Sequence, residues 1–265
     1  MENLILEVAD RVGMITLNRP ERKNALSTEM IVELQQAFLQ FEADKDVKVI
    51  LIKAAGNVFC SGADLVKMKE MQSEPWGVNL QDAKQLEQLY RIIYTLKKVV
   101  IAQIEGHALA GGCGLASIAD FSFSIPEAKF GYPEVKIGFV PSIVALFLKR
   151  KIGGKARPLL LSGDSISAEQ ALNIGMIYEV VSKDEIGHRV WTYAQHLCHT
   201  NSGQAMALTK QLLFRIQNMN FGEALNLTRV HRHSQDRRVL SHKGAFCSVN
   251  ILDFANGEKS SRKSH

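Results

Sequence analysis

The chain has 265 residues, of which 46% are hydrophobic, and this is enough to bury a substantial core in one large domain or in one domain with an appendage. Its net charge of +5 and its pI of about 9.0 raise the question of a nucleic-acid partner. The basic residues, however, form short clusters without interleaved aromatic residues, as at 149–151 and 237–238, and match no nucleic-acid-binding motif. Nucleic acid is therefore not the expected partner, and the positive charge suits a phosphate-bearing small molecule as well.

Two further features of the sequence concern the compartment. The four cysteines, Cys60, Cys113, Cys198 and Cys247, are scattered and show no C-x-x-C spacing, so we expect no disulfides and a reducing environment. The first residues lack a basic region followed by a long apolar run, and no later apolar run approaches the roughly 20 residues that span a bilayer. We therefore expect a cytoplasmic protein without a membrane segment.

Apolar patterns along residues 1–183 predict strands that alternate with helices. Short β-rich runs bounded by glycine, proline or asparagine are typical of strands, and a 3.6-residue apolar period is typical of helices. The repeated order of strand, helix and strand favours parallel pairing with helical crossovers, and so the α/β class. The apolar runs 4–8 and 14–17 flank a turn at 10–13 and predict a hairpin, and Ser27 is predicted to cap the helix 28–41. Residues 67–80 lack a sustained period and predict a loop. The predicted strands are 4–8, 14–17, 47–54, 99–104, 120–125 and 177–181, and the predicted helices are 28–41, 81–98, 142–151, 155–162 and 168–172.

Beyond residue 183 the sequence becomes poor in glycine and shows only helical patterns. We predict three regions, which are a core over 1–183, a helical region over 184–256 and a disordered tail over 257–265. His231 and His233 are two positions apart on a predicted helix, so their side chains diverge and no metal site is expected there. The predicted helices of this part are 184–199, 203–218, 221–234 and 242–252.

The segment 104–141 contains a cluster of glycines. Glycines at 106, 111, 112 and 114 follow the predicted strand 99–104, as expected where the backbone must approach another group closely. The apolar run 115–119 comes next, so Gly111 and Gly112 are predicted at a helix N-terminus. Peptide N–H groups in that position lack partners within the helix and can hold an anion.

A Gly-Tyr-Pro-Glu turn follows in the same segment, after the predicted strand 120–125. This turn is expected to bring the carboxylate of Glu134 beside the glycine-rich site. A pair of hydrogen-bond donors and one acid/base group would then face a single pocket. If that pocket is largely apolar, desolvation should raise the pKa of Glu134 towards neutrality.

Three stretches in fixed order carry a resemblance to a known family. They read VFCSGADL at 58–65, GHALAGGCG at 106–114 and AKFGYPEVKIGFVP at 128–141. They resemble the crotonase superfamily, also called the enoyl-CoA hydratase/isomerase family, from the first strands to about residue 181. The resemblance implies an α/β fold with a ββα spiral core, an acyl-CoA thioester as substrate, no cofactor beyond that coenzyme A, and a helical region that forms a homotrimer or a dimer of trimers.

The same resemblance implies roles for individual residues. The peptide N–H groups of Ala63 and Gly111 would form an oxyanion hole for the enolate of the thioester, and Glu134 would move the proton. Arg22 and Lys23 would lie along the coenzyme A phosphates, although the alternative for both is an exposed loop charge. The other residues placed along the ligand are Ala25, Ser61, Asp64, Leu65 and Val66, with Phe246 reaching it across a subunit boundary.

One position departs from the pattern of the family. Hydratases with two catalytic glutamates carry an acidic residue three positions after the oxyanion glycine, where this chain has Gly114. Members that resemble bacterial methylglutaconyl-CoA hydratases also carry glycine there, with a single glutamate downstream. The resemblance therefore implies an enoyl-CoA hydratase or dehydratase with one carboxylate, and a branched or carboxylated acyl chain such as methylglutaconyl-CoA is a candidate substrate.

Other interpretations of the sequence stay open. Within the family, a double-bond isomerase needs only one base to shuttle a proton between two carbons. A non-catalytic role in RNA binding or in structure is the alternative from another class, because fold does not fix function. Cys60 and Ser61 can also be read as nucleophiles, but the surrounding letters do not form G-x-S-x-G and no histidine follows at an indicative spacing, so a structural role is preferred.

Overall fold

The computed structural model describes residues 1–63, 76–217 and 219–228. The chain divides into two compact units, residues 1–214 and 215–265. The first unit contains both sheets and the hydrophobic core, and in the second unit residues 221–228 are helical.

In chain order the strands are β1 (Leu4–Ala9), β2 (Val12–Leu17), β3 (Val49–Ala54), β4 (Val58–Cys60), β5 (Val99–Ile104), β6 (His107–Leu109), β7 (Phe121–Ser124), β8 (Lys129–Gly131), β9 (Ser165–Ser167) and β10 (Glu179–Val180). The α-helices are α1 (Thr28–Ala43), α2 (Trp76–Thr95), α3 (Gly111–Ile118), α4 (Ser142–Ile152), α5 (Ala156–Ser162), α6 (Ala168–Asn173), α7 (Ile186–Thr200) and α8 (Gly203–Ile216).

The larger sheet has the strand order β1-β2-β3-β5-β7-β10. Only β1 and β2 pair antiparallel, through a turn at Asp10 and Arg11 in which both residues have positive φ, and this confirms the predicted hairpin. The other pairs are parallel. All six residues of β5, including Gln103, are buried, as is typical of a parallel strand covered on both faces.

The smaller sheet was not predicted from the sequence. Its order is β4-β6-β8-β9, with parallel pairing from β4 to β8 and an antiparallel edge at β9. Each of these strands has only three residues, which is too short for a period-2 pattern to appear in the sequence.

A repeating unit links the two sheets. The runs β3-β4-α2, β5-β6-α3 and β7-β8-α4 each send one strand to the larger sheet and one to the smaller sheet, followed by a helix. This is the ββα spiral that the resemblance implies, and the predicted α/β class is confirmed. Equivalent points of successive repeats lie side by side, because their strands are neighbours in the same sheet.

Helix boundaries mostly agree with the predictions, with one clear error. The Oγ of Ser27 accepts a hydrogen bond from the N–H of Met30 and caps α1 as predicted, and α3 begins at Gly111. Residues 76–80 were predicted as loop but belong to α2. The sequence shows no sustained apolar period over 67–80, and periodicity locates the ends of a helix less well than its interior.

The helical part after residue 183 is described only to residue 228. Helix α7 is amphipathic and buries Ile186, Val190 and Ala194, among others, whereas α8 has no fully buried residue. The predicted helix 242–252, the tail 257–265 and the two histidines at 231 and 233 lie outside the described residues, and the boundaries at 183 and 256 stay predictions. No helix among the described residues has the length and apolar character needed to cross a membrane.

Candidate active site

The candidate site lies where three loops follow neighbouring strands of the smaller sheet. Residues 61–63 follow β4, residues 110–111 follow β6 and residues 133–134 follow β8. Because these strands are parallel and adjacent, their carboxyl ends meet at one edge, which is where α/β sheets commonly bind ligands. All three loops line one pocket of about 230 Å³.

The pocket is mainly apolar. Glu134 is the single ionisable residue among the described residues that line it, and Ser61 and Ser142 supply the only side-chain hydroxyl groups of that set. The segment between β8 and α4 contributes much of the wall. The remaining described lining residues are Leu26, Ile31, Ala63, Leu86, Ala110, Gly111, Pro133, Ile137, Phe139, Val140, Pro141, Ile143 and Val144.

The first loop is held by the segment that precedes α1. The N–H of Leu26 donates to the carbonyl of Gly62 at 2.8 Å, and the N–H of Ser61 donates to the carbonyl of Lys23 at 3.1 Å. The Gly62 carbonyl and the Ala63 N–H share one trans peptide plane, so fixing the carbonyl fixes the N–H in the opposite direction. The hydrogen bond from Leu26 to Gly62 therefore orients the N–H of Ala63, the predicted donor.

Asn24 anchors the loop that makes these bonds. Its side chain is fully buried, and its amide donates to the carbonyls of Ala55 at 2.9 Å and Val58 at 2.8 Å, while its oxygen accepts from the Arg19 N–H at 2.9 Å. Two of these bonds thus tie the loop to both ends of the connection between β3 and β4, and the third closes the loop on itself. Both Lys23 and Asn24 have positive φ, a conformation that asparagine tolerates better than most residues.

The second loop passes directly into α3. Ala110, at the N-cap position, has φ +48° and ψ −124°, which is strained for a residue with a side chain. Its carbonyl accepts from the Gly114 N–H at 3.0 Å, and the Gly111 N–H belongs to the same trans peptide plane. The N–H of Gly111 therefore points away from the helix, and as a first-turn group it has no acceptor within the helix.

The two donor loops touch each other. Gly62 has φ +91°, and a Cβ built there would lie 2.5 Å from the Cβ of Ala110 and 3.2 Å from the nitrogen of Gly111. Only glycine allows this approach, so the small residues of both motifs serve to bring two peptide N–H groups to one pocket.

Glu134 lies on a short 3₁₀ helix, Pro133–Ile137, which ends at Gly138 in the left-handed conformation. Its backbone carbonyl accepts from the Phe139 N–H at 3.0 Å, and this bond closes the turn. The side chain is half-buried, and its Oε2 atom is buried without a hydrogen-bond partner in the described part of the chain. Burial raises the pKa of Glu134 above its ordinary value of 4.5, as predicted, because desolvation penalises the charged form.

The structure brings together four of the predicted site residues, since Ser61, Ala63, Gly111 and Glu134 all line the pocket. Arg22 and Lys23 are exposed on the loop that binds the Ser61 N–H. Ala25 is buried and is not among the lining residues; its carbonyl accepts from Arg19 Nη1 at 3.2 Å. The other predicted site residues, Asp64, Leu65, Val66 and Phe246, lie outside the described residues.

The cysteines near the site have the properties of buried, neutral thiols. Cys60 and Cys113 are fully buried, and burial raises the pKa of each to about 12. A nucleophilic thiol needs the opposite shift. The structural interpretation of Cys60 is thereby supported. Among the residues that the structure describes, no group of histidine, cysteine or acidic side chains is arranged to hold a metal ion.

Comparison with known proteins identifies the family. A family model described as enoyl-CoA hydratase/isomerase matches residues 7–241. The chain belongs to the enoyl-CoA hydratase/isomerase family. The short-chain-enoyl-CoA hydratase of Clostridium acetobutylicum is 32% identical over 85% of this chain and 86% of that protein. The 1,2-epoxyphenylacetyl-CoA isomerase of Escherichia coli is 31% identical over 92% of this chain and 94% of that protein.

The fold agrees with this family. The crystal structure of an enoyl-CoA hydratase/isomerase from Marinobacter aquaeolei has a TM-score of 0.84 and 31% identity to this chain, covering 89% of this chain and 92% of that one. The crotonase-like core implied by the three motifs is therefore confirmed. Family membership alone names neither the acyl group nor the direction of the reaction.

Sequence reasoning missed two kinds of site residue in this enoyl-CoA hydratase/isomerase family member. The first kind is the apolar wall from Ile137 to Val144, whose letters were recognised as part of a motif but given no role. The second kind is a residue outside the pocket that holds a donor loop by hydrogen bonds, as Asn24 does. An asparagine that follows a run of charged residues carries no signal of such a role in the sequence.

Proposed function

We propose that the protein is an enoyl-CoA hydratase, which adds water reversibly to a 2-enoyl-CoA thioester. The observation that carries the proposal is the meeting of two fixed peptide N–H groups, of Ala63 and Gly111, with the half-buried carboxylate of Glu134 in one apolar pocket. The two N–H groups suit a developing enolate oxygen, and donors of this kind are worth roughly 3–4 kcal/mol each in comparable sites.

One carboxylate is enough to balance the reaction. Glu134 takes a proton from water while the water oxygen bonds to the β-carbon, and the π electrons move to the thioester oxygen, where Ala63 and Gly111 stabilise them. The protonated Glu134 then returns its proton to the α-carbon as the carbonyl re-forms. The raised pKa of Glu134 suits both proton transfers, from water and to the α-carbon, since an acid/base group works best when its pKa lies near the operating pH. Dehydration is the same path in reverse.

The pocket lining bears on the acyl group. A branched apolar chain fits a wall of leucine, isoleucine and valine side chains, whereas a carboxylated chain such as methylglutaconyl needs a cation, and none occurs among the described lining residues. Of the two predicted classes, branched and carboxylated, we therefore favour a branched apolar 2-enoyl group. Arg22 and Lys23, exposed on the loop that binds the Ser61 N–H, are the proposed partners of the coenzyme A phosphates. The coenzyme A arrives with the substrate, and no separate cofactor is proposed.

Glu134→Gln is the direct test. The change keeps size and much hydrogen-bonding capacity but removes the base, so hydration and dehydration rates should both fall by about 10²- to 10⁴-fold. Binding of the thioester, measured by titration calorimetry, should survive. The matched control is Glu127→Gln, which removes the same charge from an exposed residue close in sequence and should leave turnover unchanged. Full activity in Glu134→Gln would refute the assignment of the base.

A double-bond isomerase is the second candidate. A single base in the pocket and the resemblance to a protein named as an isomerase both favour it. Mass spectrometry of the product separates the two activities, because hydration adds the mass of one water and isomerisation adds none. An RNA-binding role predicts instead that oligonucleotides, and not coenzyme A thioesters, raise the melting temperature.

A further inference from the structure

A buried tyrosine lies directly behind the proposed oxyanion donor Gly111. Tyr90 on α2 is fully buried, and its hydroxyl donates a hydrogen bond to the carbonyl of Gly111. Its ring stacks on Phe147 of α4, with ring centroids 5.7 Å apart and an interplanar angle of 24°. Two helices therefore hold the hydroxyl in place. Tyr90 is not among the residues that line the pocket, so it would not touch a bound substrate there.

The tyrosine also occupies the room beside Gly114. A Cβ built at residue 114 would lie 2.5 Å from the Tyr90 hydroxyl oxygen and 2.7 Å from Cγ1 of Val144. Gly114 and Tyr90 are thus complementary, since the Tyr90 hydroxyl fills the space that a side chain at residue 114 would need. This gives a physical reason for the missing second carboxylate.

The first turn of α3 needs an outside contact because of its composition. Three of its first four residues, Gly111, Gly112 and Gly114, are glycines, which have the greatest backbone freedom and a low helix propensity. Gly111 joins two peptide planes. The plane that carries its N–H is held by the bond from Gly114 to Ala110, and the plane that carries its carbonyl is held by Tyr90. With both planes held, the direction of the N–H is set.

We infer that Tyr90 is a positioning residue of the oxyanion hole, which orients the Gly111 N–H by holding the Gly111 carbonyl. The inference rests on the proposed function for the identity of the donor. Burial raises the pKa of Tyr90, and the nearby Cys60, Cys113 and Glu134 raise it further, so the hydroxyl stays a neutral donor. Its effect should appear mainly when negative charge develops on the thioester oxygen, and much less on ground-state binding.

Tyr90→Phe tests the inference, because it keeps the ring and removes only the donor. We expect kcat for hydration to fall about tenfold while KM changes by less than twofold. The matched control is Ser117→Ala, which removes another buried hydroxyl from a carbonyl of the same helix, that of Gly114 at 3.1 Å. This control should leave kcat unchanged. A structural role would lower stability in both variants alike without a selective loss of kcat.

A second measurement reports directly on the oxyanion hole. In the Glu134→Gln background, which binds without turnover, the infrared stretch of a ¹³C-labelled crotonyl-CoA thioester carbonyl should move to higher frequency when Tyr90→Phe is added, because the carbonyl becomes less polarised. Should Tyr90→Phe not fold, Phe147→Leu takes its place in both assays, since it removes the ring that stacks on Tyr90 and leaves the hydroxyl. We expect the same direction of change.

Unchanged kcat and an unchanged carbonyl frequency, or equal effects in Ser117→Ala, would overturn the inference. Failure of the proposed function looks different, since a wild-type protein that binds thioesters without hydrating them, or a fully active Glu134→Gln variant, would contradict the function alone. In the first case the infrared comparison would still test Tyr90, because it needs binding and not turnover. In the second case kcat of Tyr90→Phe and Ser117→Ala would still test it, because the wild-type protein hydrates the thioester.

Discussion

At the scale of the residue, Glu134 combines chemical usefulness with a cost in stability. Its pKa is raised because half of the side chain is out of water and Oε2 has no partner in the described part of the chain. A carboxyl group whose pKa is higher in the folded state than in the unfolded state binds more protons when folded, so the stability of the protein should decline as pH rises from 4.5 through the raised pKa. Above the raised pKa of Glu134, the loss of stability is complete and no longer changes with pH.

Glu134→Gln should therefore raise the melting temperature at neutral pH and lose this advantage below pH 4.5, where the wild-type side chain is already protonated in both states. Thermal denaturation of both proteins across this range measures the effect. Glu127→Gln removes a charge from an exposed position and serves as the control. An equal pH-dependent gain in both variants would show that net charge, and not burial of the Glu134 carboxylate, is responsible.

At the scale of the element, α3 is built around the close approach of α2 and α4. Adding a glutamate at 114 would place a side chain against Tyr90 and Val144, with contacts of 2.5 and 2.7 Å at the Cβ alone. Gly114→Glu should therefore destabilise the fold by about 1–3 kcal/mol, the usual cost of overpacking. It should also fail to restore activity to Glu134→Gln, because no room exists for a second carboxylate.

Chemical denaturation of Gly114→Glu measures the first effect, and Gly187→Glu is its control. Gly187 also lies within a helix, but a Cβ there meets no atom within 4 Å, so the same substitution should be neutral or slightly stabilising. Recovery of hydration in the double variant Gly114→Glu/Glu134→Gln would contradict both the steric argument and the single-carboxylate mechanism.

At the scale of the whole molecule, we predict a homotrimer or a dimer of trimers. Helix α8 buries no residue completely, and Leu213 on it is 55% exposed. A helix with an apolar stripe gains stability when a partner covers that stripe. Light scattering at micromolar concentration should therefore give about three or six times the chain mass of 29.5 kDa.

Leu213→Glu should lower the mass measured by light scattering, because it puts a charge on the proposed contact between subunits. Leu39→Glu, on α1 and 51% exposed, is the matched control and should leave the mass unchanged. A monomeric mass for the wild-type protein would refute the prediction, and with it the proposed contact of Phe246 with a neighbouring subunit's ligand.

Several features of this protein follow from the sequence by itself. The hairpin at Asp10, the cap at Ser27, the strand over 99–104 and the helix start at Gly111 were all predicted correctly. Each depends on interactions between residues that are close along the chain, such as turn conformation, capping and apolar period, so local letters are sufficient. The three motifs likewise identified the family, since they lie in the loops that form the site.

Other features were decided only by the tertiary structure. Asn24 bonds to carbonyls 31 and 34 positions away, and Tyr90 bonds to a carbonyl 21 positions away. The smaller sheet, whose strands have three residues each, brings the three loops to one edge. The sequence predicted a raised pKa for Glu134 on the condition of an apolar pocket, and only the tertiary structure supplies that pocket. All of these features depend on which distant segments of the chain pack together. In the sequence, Tyr90 looks like any other core residue of an amphipathic helix, and nothing shows that it fills the space beside Gly114.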